Sequence, residues 1–320
     1  MRKPISRSEV PAIGTIRRRS RQVPPSRAGG SAAPRPKDIL AAAGVRPSKA
    51  RGQNFLVQGA VADRIVAMAE LGRDDDVVEI GPGLGILSDR ILSHPIRRLH
   101  LIELDSRLAA HLRTRLTDVP NVEIVEADVL KLDLAPIIER PPVKIIGNLP
   151  FNVAAAVLRK LSDYRHFISR MVLMFQREVA DRIRAKPGDQ SYGALSVYTA
   201  LDWAIDRHFR VDAGSFHPRP KVDAEVLLFV PRSQPWCEAH ELEQVLAVIR
   251  AGFSSPRKII RNTISAGLKL GAAEVEAELD AAAIDPHARA ETLSVADFVR
   301  LARAIALRHP ASGQEIKSDA

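Results

Sequence analysis

One four-residue segment, Asn148-Leu149-Pro150-Phe151, combines groups that can orient a planar amine. The exocyclic amine of adenine is a poor nucleophile because its lone pair is delocalised into the ring. The side-chain oxygen of Asn148 and a backbone carbonyl at the Leu149-Pro150 step can accept its two N–H bonds, which makes the nitrogen more nucleophilic without a strong base. The ring of Phe151 can stack on an unpaired base. On its own, such a segment is more often a turn with a buried aromatic residue, so the interpretation depends on its context.

Upstream lies a glycine-rich turn, Gly81-Pro82-Gly83-Leu84-Gly85, between a predicted strand and a predicted helix. Glycines let the backbone turn sharply and approach a ligand closely. A dinucleotide-binding turn needs Gly-x-Gly-x-x-Gly, whereas Ile86 stands at the sixth position here. An acid two residues before the first glycine, Glu79, is typical of S-adenosylmethionine sites. We therefore predict S-adenosylmethionine as the cofactor, in preference to a nicotinamide dinucleotide.

Two further acids are placed to complete this cofactor site. Glu103 ends the next predicted strand, where an acid usually binds ribose hydroxyls, and Asp128 ends the third. The carboxyl ends of parallel strands lie at one edge of a sheet, so we expect these acids beside Gly81 and Gly83. The alternative is a tight turn that binds nothing, and the two spaced acids argue against it.

The elements that must position these residues alternate between helix and strand from about residue 58, which predicts a parallel α/β sheet. The predicted strands cover 76–80, 98–103, 122–126, 144–147, 171–175 and 226–230, the last ended by Pro231. The predicted helices between them cover 58–71, 84–92, 106–116 with Ser106 as N-cap, and 153–161. The fold class is therefore α/β, a Rossmann-like methyltransferase domain.

Beyond Pro235 the periodicity is helical only, over 242–251, 258–268, 272–283 and 295–307. We therefore predict a smaller all-α domain over 233–310, after a methyltransferase domain over 38–232. Residues 1–37 are rich in Pro, Ser, Gly and Arg and are expected to be a disordered basic extension, as is a short tail over 311–320. The extension is a solvated tail, an RNA-contacting arm or a transit peptide, and its composition favours the first.

Charge and composition limit the possible partners. Of the 47 basic and 38 acidic residues, ten basic and one acidic residue lie in 1–37, which leaves 37 of each sign in the remainder. Any RNA contact must therefore come from local patches. Cys237 is the only cysteine, which excludes an intramolecular disulfide and a cysteine-based zinc site. No metal and no membrane span are expected, and a lone cysteine suits the cytoplasm.

These motifs together resemble a known family, the ribosomal RNA adenine N6,N6-dimethyltransferases, and within it the bacterial enzymes that act on the small subunit (16S). The resemblance covers about 38–307. Besides the cofactor and acceptor segments, its blocks are Lys49-Ala50-Arg51-Gly52-Gln53-Asn54-Phe55-Leu56, Gln176–Ala180, Ser191–Val197, Phe216–Asp223, Phe253–Ile264 and Glu291–Ser294. The resemblance implies N6,N6-dimethylation of two adjacent adenosines in a hairpin near the 3′ end of 16S rRNA. It also implies an immature 30S subunit as the partner and a monomeric enzyme.

The resemblance also implies roles for individual residues. Contacts to S-adenosylmethionine are implied for Asn54, Leu56, Gly81, Glu103, Asp128 and Asn148. Asn148 and Pro150 would hold the target amine, and Phe151 and Phe216 would sandwich the adenine. The family usually has Tyr in place of Phe151, so one hydroxyl group is lost here. Asp212-Ala213, Ala224-Glu225 and Pro256 are further departures.

RNA contacts are predicted from local basic patches. The span 244–273 contains no acid and carries Arg250, Arg257, Lys258 and Arg261, of which the last three fall at helical spacing and are expected on one face. Lys49 and Arg51, which precede the cofactor motif, are also predicted to bind RNA. A second cluster over 165–186 is diluted by acids, and a solvated face explains it equally well.

Three other functions stay open at this stage. One is a catalytically idle assembly or transcription factor that keeps the fold, which the Phe151 departure allows. The others are a large-subunit rRNA methyltransferase and a DNA adenine N6-methyltransferase, and the length of the helical part and the 192–197 block argue against both.

Overall fold

Seven strands form a central sheet, and the first five in its order are parallel to one another. The computed structural model describes residues 38, 40–41, 44–45, 47, 52–149 and 153–308, all within the compact unit Arg35–Ala320. Within these residues the strands are β1 Phe55–Leu56, β2 Asp76–Ile80, β3 Arg98–Glu103, β4 Val122–Glu126, β5 Val143–Asn148, β6 Ile168–Gln176, β7 Trp203–Val211, β8 Phe216–His217 and β9 Ala224–Pro231. The α/β fold class predicted from the sequence is confirmed.

Helices cover both faces of this sheet and continue beyond it. They are α1 Gly59–Ala69, α2 Ile86–Leu92, α3 Ser106–Arg115, α4 Ala154–Asp163, α5 Arg177–Arg184, α6 Ala194–Asp202, α7 Leu242–Gly252, α8 Ile260–Leu268, α9 Ala272–Ala281 and α10 Val295–Arg308. Two apolar clusters, one on each face, bury the sheet. One includes Val77 and Ile146, and the other includes Val78 and Ile145, so successive residues of a strand face opposite layers.

The strand order in the large sheet is β4-β3-β2-β5-β6-β9-β7. β2 pairs in parallel with β3 and β5, so the order reverses on either side of β2. Ligands of open α/β sheets bind outside the carboxyl ends of the strands at such a reversal. The fold therefore places the site where the glycine turn leaves β2 and the acceptor segment leaves β5.

A second, two-stranded sheet closes this edge. β1 pairs antiparallel with β8, with Phe55 opposite His217 and Leu56 opposite Phe216. The Val57 amide donates to the Ser215 carbonyl at 2.9 Å, which extends the pairing. The sheet joins two parts of the chain that lie about half the sequence apart, and it borders the cofactor edge.

The last four helices, α7 to α10, share one apolar cluster with α6. Val248, Ile264, Leu279 and Phe298 lie in this cluster beside Val197 of α6. Among the described residues, no helix is long and apolar enough to cross a membrane. Within the same residues, no group of three or more His, Cys, Asp or Glu side chains is arranged to hold a metal ion.

The predicted N-cap of α3 was wrong. Asp105, not Ser106, caps this helix, and its carboxylate accepts the Arg107 amide at 3.1 Å. Asp and Ser are about equally good caps, so propensity alone could not choose between adjacent candidates. The predicted strand bounds at 76–80, 98–103 and 122–126 agree with β2, β3 and β4.

Candidate active site

The glycine turn after β2 has the conformation that its sequence predicts. Gly81, Gly83 and Gly85 have φ values of 69°, 58° and 81°, all in the left-handed region that glycine adopts without strain. A Cβ atom at Gly83 would lie only 2.9 Å from the Phe55 ring of β1. The turn is therefore tight because of both its backbone conformation and the strand packed against it.

Glu103, at the end of β3, holds this turn in place. Its Oε2 accepts the Gly83 amide at 3.0 Å, and its Oε1 accepts the Asp105 amide at 2.9 Å. The residue is 6% exposed, and burial raises the pKa of its carboxyl group above the ordinary value. Each carboxylate oxygen has a second lone pair, so Glu103 can still accept hydrogen bonds from the hydroxyls of a ligand in the cleft.

Glu79 is a second buried acid, in the middle of the sheet rather than at its edge. It is 0% exposed, and the Ser88 hydroxyl of α2 donates to its Oε2 at 2.6 Å. Burial raises the pKa of Glu79 to about 8, and the Ser88 hydrogen bond opposes this shift. Its Oε1 is buried without a hydrogen-bond partner in the part of the chain that the structure describes. The sequence analysis identified Glu79 but missed Ser88, because Ser88 comes close to Glu79 only when α2 packs against β2.

Asn148 ends β5 beside the turn. Its Nδ2 donates to the backbone oxygen of Asn54 at 3.3 Å, and Asn54 in turn donates to the Gly52 oxygen at 3.2 Å. A carbonyl oxygen can only accept, so this contact fixes which end of the Asn148 amide is the nitrogen. Its Oδ1 contacts no donor within 52–149 and 153–308, so this oxygen can still accept a hydrogen bond from a ligand in the cleft.

Gly81, Gly83, Glu103 and Asn148 line one cleft that is open to solvent. The predicted cofactor residues in its lining are Asn54, Leu56, Gly81, Gly83, Glu103 and Asn148. Asp128 lies outside this lining, two residues after β4, and its Oδ1 accepts the Leu130 amide at 3.0 Å. The cleft thus brings together all but one of the residues predicted to hold the cofactor.

The acceptor side is described only in part. Phe216 lies in β8, is 4% exposed and packs in the same apolar cluster as Leu56. Pro150 and Phe151 lie outside the described residues, as do Lys49 and Arg51. The aromatic sandwich around adenine therefore stays a prediction.

The predicted helical face of Arg257, Lys258 and Arg261 was wrong. α8 begins at Ile260, so Arg257 and Lys258 lie in the turn before it, both exposed. Arg261 lies in the helix but is half-buried, and its Nη1 forms an ion pair with Glu276 Oε2 at 2.9 Å. Arg250 is exposed in the last turn of α7. Three of these four cations are therefore open to a ligand, and Arg261 already has a protein partner.

The second basic cluster is largely neutralised. Arg165 pairs with Asp202 and Arg170 with Glu70. The helical cations Arg182 and Arg184 pair with the acids Glu178 and Asp181. Ion pairs thus occupy most of this cluster, as the solvated-face interpretation predicts.

The cleft fits the cofactor that the sequence predicts. The glycine turn brings its backbone close to the cleft, and Glu103 supplies carboxylate oxygens at the end of the neighbouring strand. Next to both, Asn148 offers an acceptor that has no donor among the described residues. This combination suits a ligand with a ribose and a reactive centre that faces an amine. The fold and the site together define a Rossmann-like methyltransferase that uses S-adenosylmethionine.

Comparisons with known proteins identify the family. The family model described as ribosomal RNA adenine dimethylase matches residues 46–307. The chain is 44% identical to the ribosomal RNA small subunit methyltransferase A of Syntrophotalea carbinolica, over 81% of this chain and 97% of that protein. The chain belongs to the ribosomal RNA adenine dimethylase family and is an S-adenosylmethionine-dependent rRNA methyltransferase.

Solved structures agree on the fold. A dimethyladenosine transferase from Plasmodium falciparum has a TM-score of 0.68 at 23% identity and matches over 79% of this chain and 98% of its own. The 23S rRNA methyltransferase ErmE has a TM-score of 0.60 at 28% identity and matches over 78% of this chain and 99% of its own. The sequence identity to the small-subunit relative is clearly higher than the identity to ErmE.

Proposed function

We propose that this enzyme transfers four methyl groups to 16S rRNA, two to the N6 atom of each of two adjacent adenosines in a hairpin near the 3′ end. The observation that carries this proposal is the orientation of Asn148, whose Nδ2 is held by Asn54 and whose Oδ1 faces no other donor among the described residues. The small-subunit relative supports the choice of RNA. The proposed substrate is the immature 30S subunit, and the enzyme acts as a monomer in the cytoplasm.

We assign the cofactor contacts from the lining of the cleft. Glu103 accepts the ribose hydroxyls while it keeps its bond to the Gly83 amide, so one carboxylate both shapes the turn and binds the ligand. Gly81 and Gly83 let the backbone approach the cofactor, and Asn54 and Leu56 close the opposite wall. Asp128, at the end of the neighbouring strand, is proposed to contact the far end of the adenosine moiety.

The acceptor chemistry depends on orientation. S-adenosylmethionine supplies, when bound, an electrophilic methyl group on its sulfonium. Asn148 Oδ1 and a backbone carbonyl at Leu149 or Pro150 accept the two N–H bonds of the adenine amine and direct its lone pair towards the cleft. Phe151 and Phe216 are proposed to hold the base by stacking. The pyramidal geometry that these acceptors favour is closer to the transition state than to the ground state, so the contacts accelerate the reaction.

The RNA surface is proposed to include Arg250, Arg257 and Lys258, which are exposed, and Lys49 and Arg51 on the N-terminal side. Arg261 contributes by anchoring α8 through Glu276. This assignment goes with the proposed division into a methyltransferase domain over 38–232 and a helical domain over 233–310. The common apolar cluster of α6 with α7 to α10 supports a fixed connection between them.

Methylation of purified particles tests the proposal. The enzyme is incubated with S-adenosylmethionine and 30S subunits from cells that lack this modification, and the digested RNA is examined by mass spectrometry. We expect N6,N6-dimethyladenosine at two adjacent positions in immature particles and little in mature ones. Deproteinised 23S rRNA and adenine-containing DNA serve as competing substrates. No product from 30S particles, or faster methylation of either competitor, would contradict the proposal.

A further inference from the structure

Three side chains outside the cofactor cleft form a cationic cluster, Arg159 of α4, Tyr198 of α6 and Arg250 of α7. The guanidinium carbon of Arg159 lies 5.8 Å from the centre of the Tyr198 ring. Burial raises the pKa of the Tyr198 phenol, and the positive charges of Arg250 and Arg159 both act to lower it. α4 and α7 both pack against α6, which carries this half-buried ring, so the geometry also places both arginines near it.

Within 52–149 and 153–308, neither arginine of this cluster pairs with an acid. Among the residues that the structure describes, no carboxylate lies within ion-pair distance of Arg159 or Arg250, and both side chains are exposed. Arg165, Arg182 and Arg184, from the neighbouring basic stretch, all form ion pairs at 2.6–3.4 Å. The cluster is therefore a place where positive charge is left for a partner outside the chain.

The position of the cluster relates it to the active site. α4 begins at Ala154, directly after the acceptor segment, and Arg159 lies five residues further, or about 8 Å along the helix axis. The intervening Ala155 and Ala156 are exposed, and their small side chains leave room for a close approach. Arg250 lies in the last turn of α7, and the chain continues from this helix to the exposed turn that carries Arg257 and Lys258.

The cluster thus connects α4, which follows the acceptor segment in the chain, with α7, which leads to the cationic turn of the helical part. We infer that Arg159, Tyr198 and Arg250 bind the sugar–phosphate backbone of the RNA strand next to the target adenosines. This inference rests on the proposed function. It assigns Arg159 and Tyr198, which have no role in the chemistry proposed above, to a site that positions the RNA. Phosphate contacts of this kind fix the register of an RNA without reading its sequence.

The chemistry of the three side chains suits a phosphodiester. A guanidinium group presents parallel N–H donors that match two phosphate oxygens, and the Tyr198 ring restricts the position of Arg159. The Tyr198 hydroxyl can donate a further hydrogen bond to the same group. Arg250 lies on α7, which packs against α6 as α4 does, so the three side chains can contact one phosphodiester group or two neighbouring ones.

The substitution Arg159→Gln tests the site in the full-length protein. It removes the charge, keeps most of the side chain and changes an exposed position, so the fold should be unaffected. With a 16S rRNA fragment that contains the 3′-terminal hairpin, we expect Kd to rise roughly tenfold and the slope of log Kd against log salt to fall by about 0.7 to 0.9. The control is Arg113→Gln, since Arg113 lies on α3 and pairs with Glu126 at 3.1 Å. The control should change neither quantity.

A second variant, Tyr198→Phe, keeps the ring and removes only the hydroxyl. We expect a two- to threefold rise in Kd with an unchanged salt slope, because no charge is lost. S-adenosylmethionine affinity should match the wild-type value in both variants. If Arg159→Gln binds the fragment as tightly as Arg113→Gln and with the same slope, the inference is wrong. Failure of the wild-type enzyme to methylate 30S particles would instead overturn the proposed function and leave the binding comparison valid.

Discussion

Glu79 offers a quantitative test of how the cofactor edge is built. Its carboxyl group is fully buried beside Ser88 of α2, and burial raises its pKa from 4.5 to about 8. In the unfolded chain the same group is solvated and releases its proton near 4.5. Between pH 4.5 and pH 8 the folded protein therefore holds a proton that the unfolded chain has lost. The free energy of unfolding must fall as the pH rises through this interval.

The size of the effect follows from the shift. Each pKa unit corresponds to about 1.4 kcal/mol, so the folded protein loses no more than about 5 kcal/mol between pH 4.5 and pH 8. The substitution Glu79→Gln removes the titration and keeps an acceptor for the Ser88 hydroxyl. The amide nitrogen of the glutamine would take the place of Oε1, which has no hydrogen-bond partner among the described residues, so a buried donor would be left unsatisfied. This costs about 1–3 kcal/mol at every pH. The variant is therefore less stable than wild type below about pH 5 and more stable near pH 8.

Urea denaturation at intervals from pH 4.5 to pH 8.5 measures the pH at which the stabilities of the two proteins cross. The fluorescence of the buried Trp203 is the probe of unfolding. Histidines titrate in the same range, but they do so in both proteins and cancel in the difference. Glu178→Gln, at an exposed position of α5, is the control and should track wild type within about 0.5 kcal/mol. A constant difference between Glu79→Gln and wild type across the pH range would refute the buried, protonated state of Glu79.

Three further predictions concern the cleft itself. Asn148→Ala should lower kcat by about 10²–10³-fold with the Kd for S-adenosylmethionine little changed, measured by radiolabel transfer and calorimetry, and unchanged turnover would contradict the orientation mechanism. Gly83→Ala should cost about 1–2 kcal/mol from its left-handed φ and should weaken cofactor binding further, because the new Cβ meets the Phe55 ring. Gly188→Ala, with φ of 89° and open space around it, is the matched control and should show only the conformational cost. Phe151→Tyr should retain methyl transfer in the 30S assay, and an inactive variant would mean that the pocket has no space for the hydroxyl.

The parallel strands could be predicted from the sequence because each is a short segment rich in aliphatic residues. β7 could not, since it is an edge strand whose middle is polar. Asp206, Arg207 and His208 are all exposed, and the register shifts against β9 within this stretch. The sequence of β7 therefore shows no regular alternation of apolar and polar residues, and only its pairing with β9 defines it as a strand.

The candidate site divides in the same way. Gly83 and Glu103 could be predicted, because a glycine turn and an acid at the next strand end are a local pattern. Their direct hydrogen bond could not, because it depends on how β2 and β3 pair. The ion pair that occupies Arg261 joins α8 to Glu276 of α9, and sequence spacing gives no measure of that contact. Local motifs were therefore predictable, and the partners that complete them were not.

The pairing of β1 with β8 has a consequence for how the enzyme is made. His217, the last residue of β8, is synthesised 161 residues after Leu56 of β1. At roughly 5–20 residues per second, this separation corresponds to about 8–30 s of translation. During that interval the nascent chain already has its glycine turn, but Phe55 and Leu56 lack the strand that covers them. The wall of the cleft then closes only as a late, long-range step, so chains released early would expose an apolar edge open to aggregation or chaperone binding.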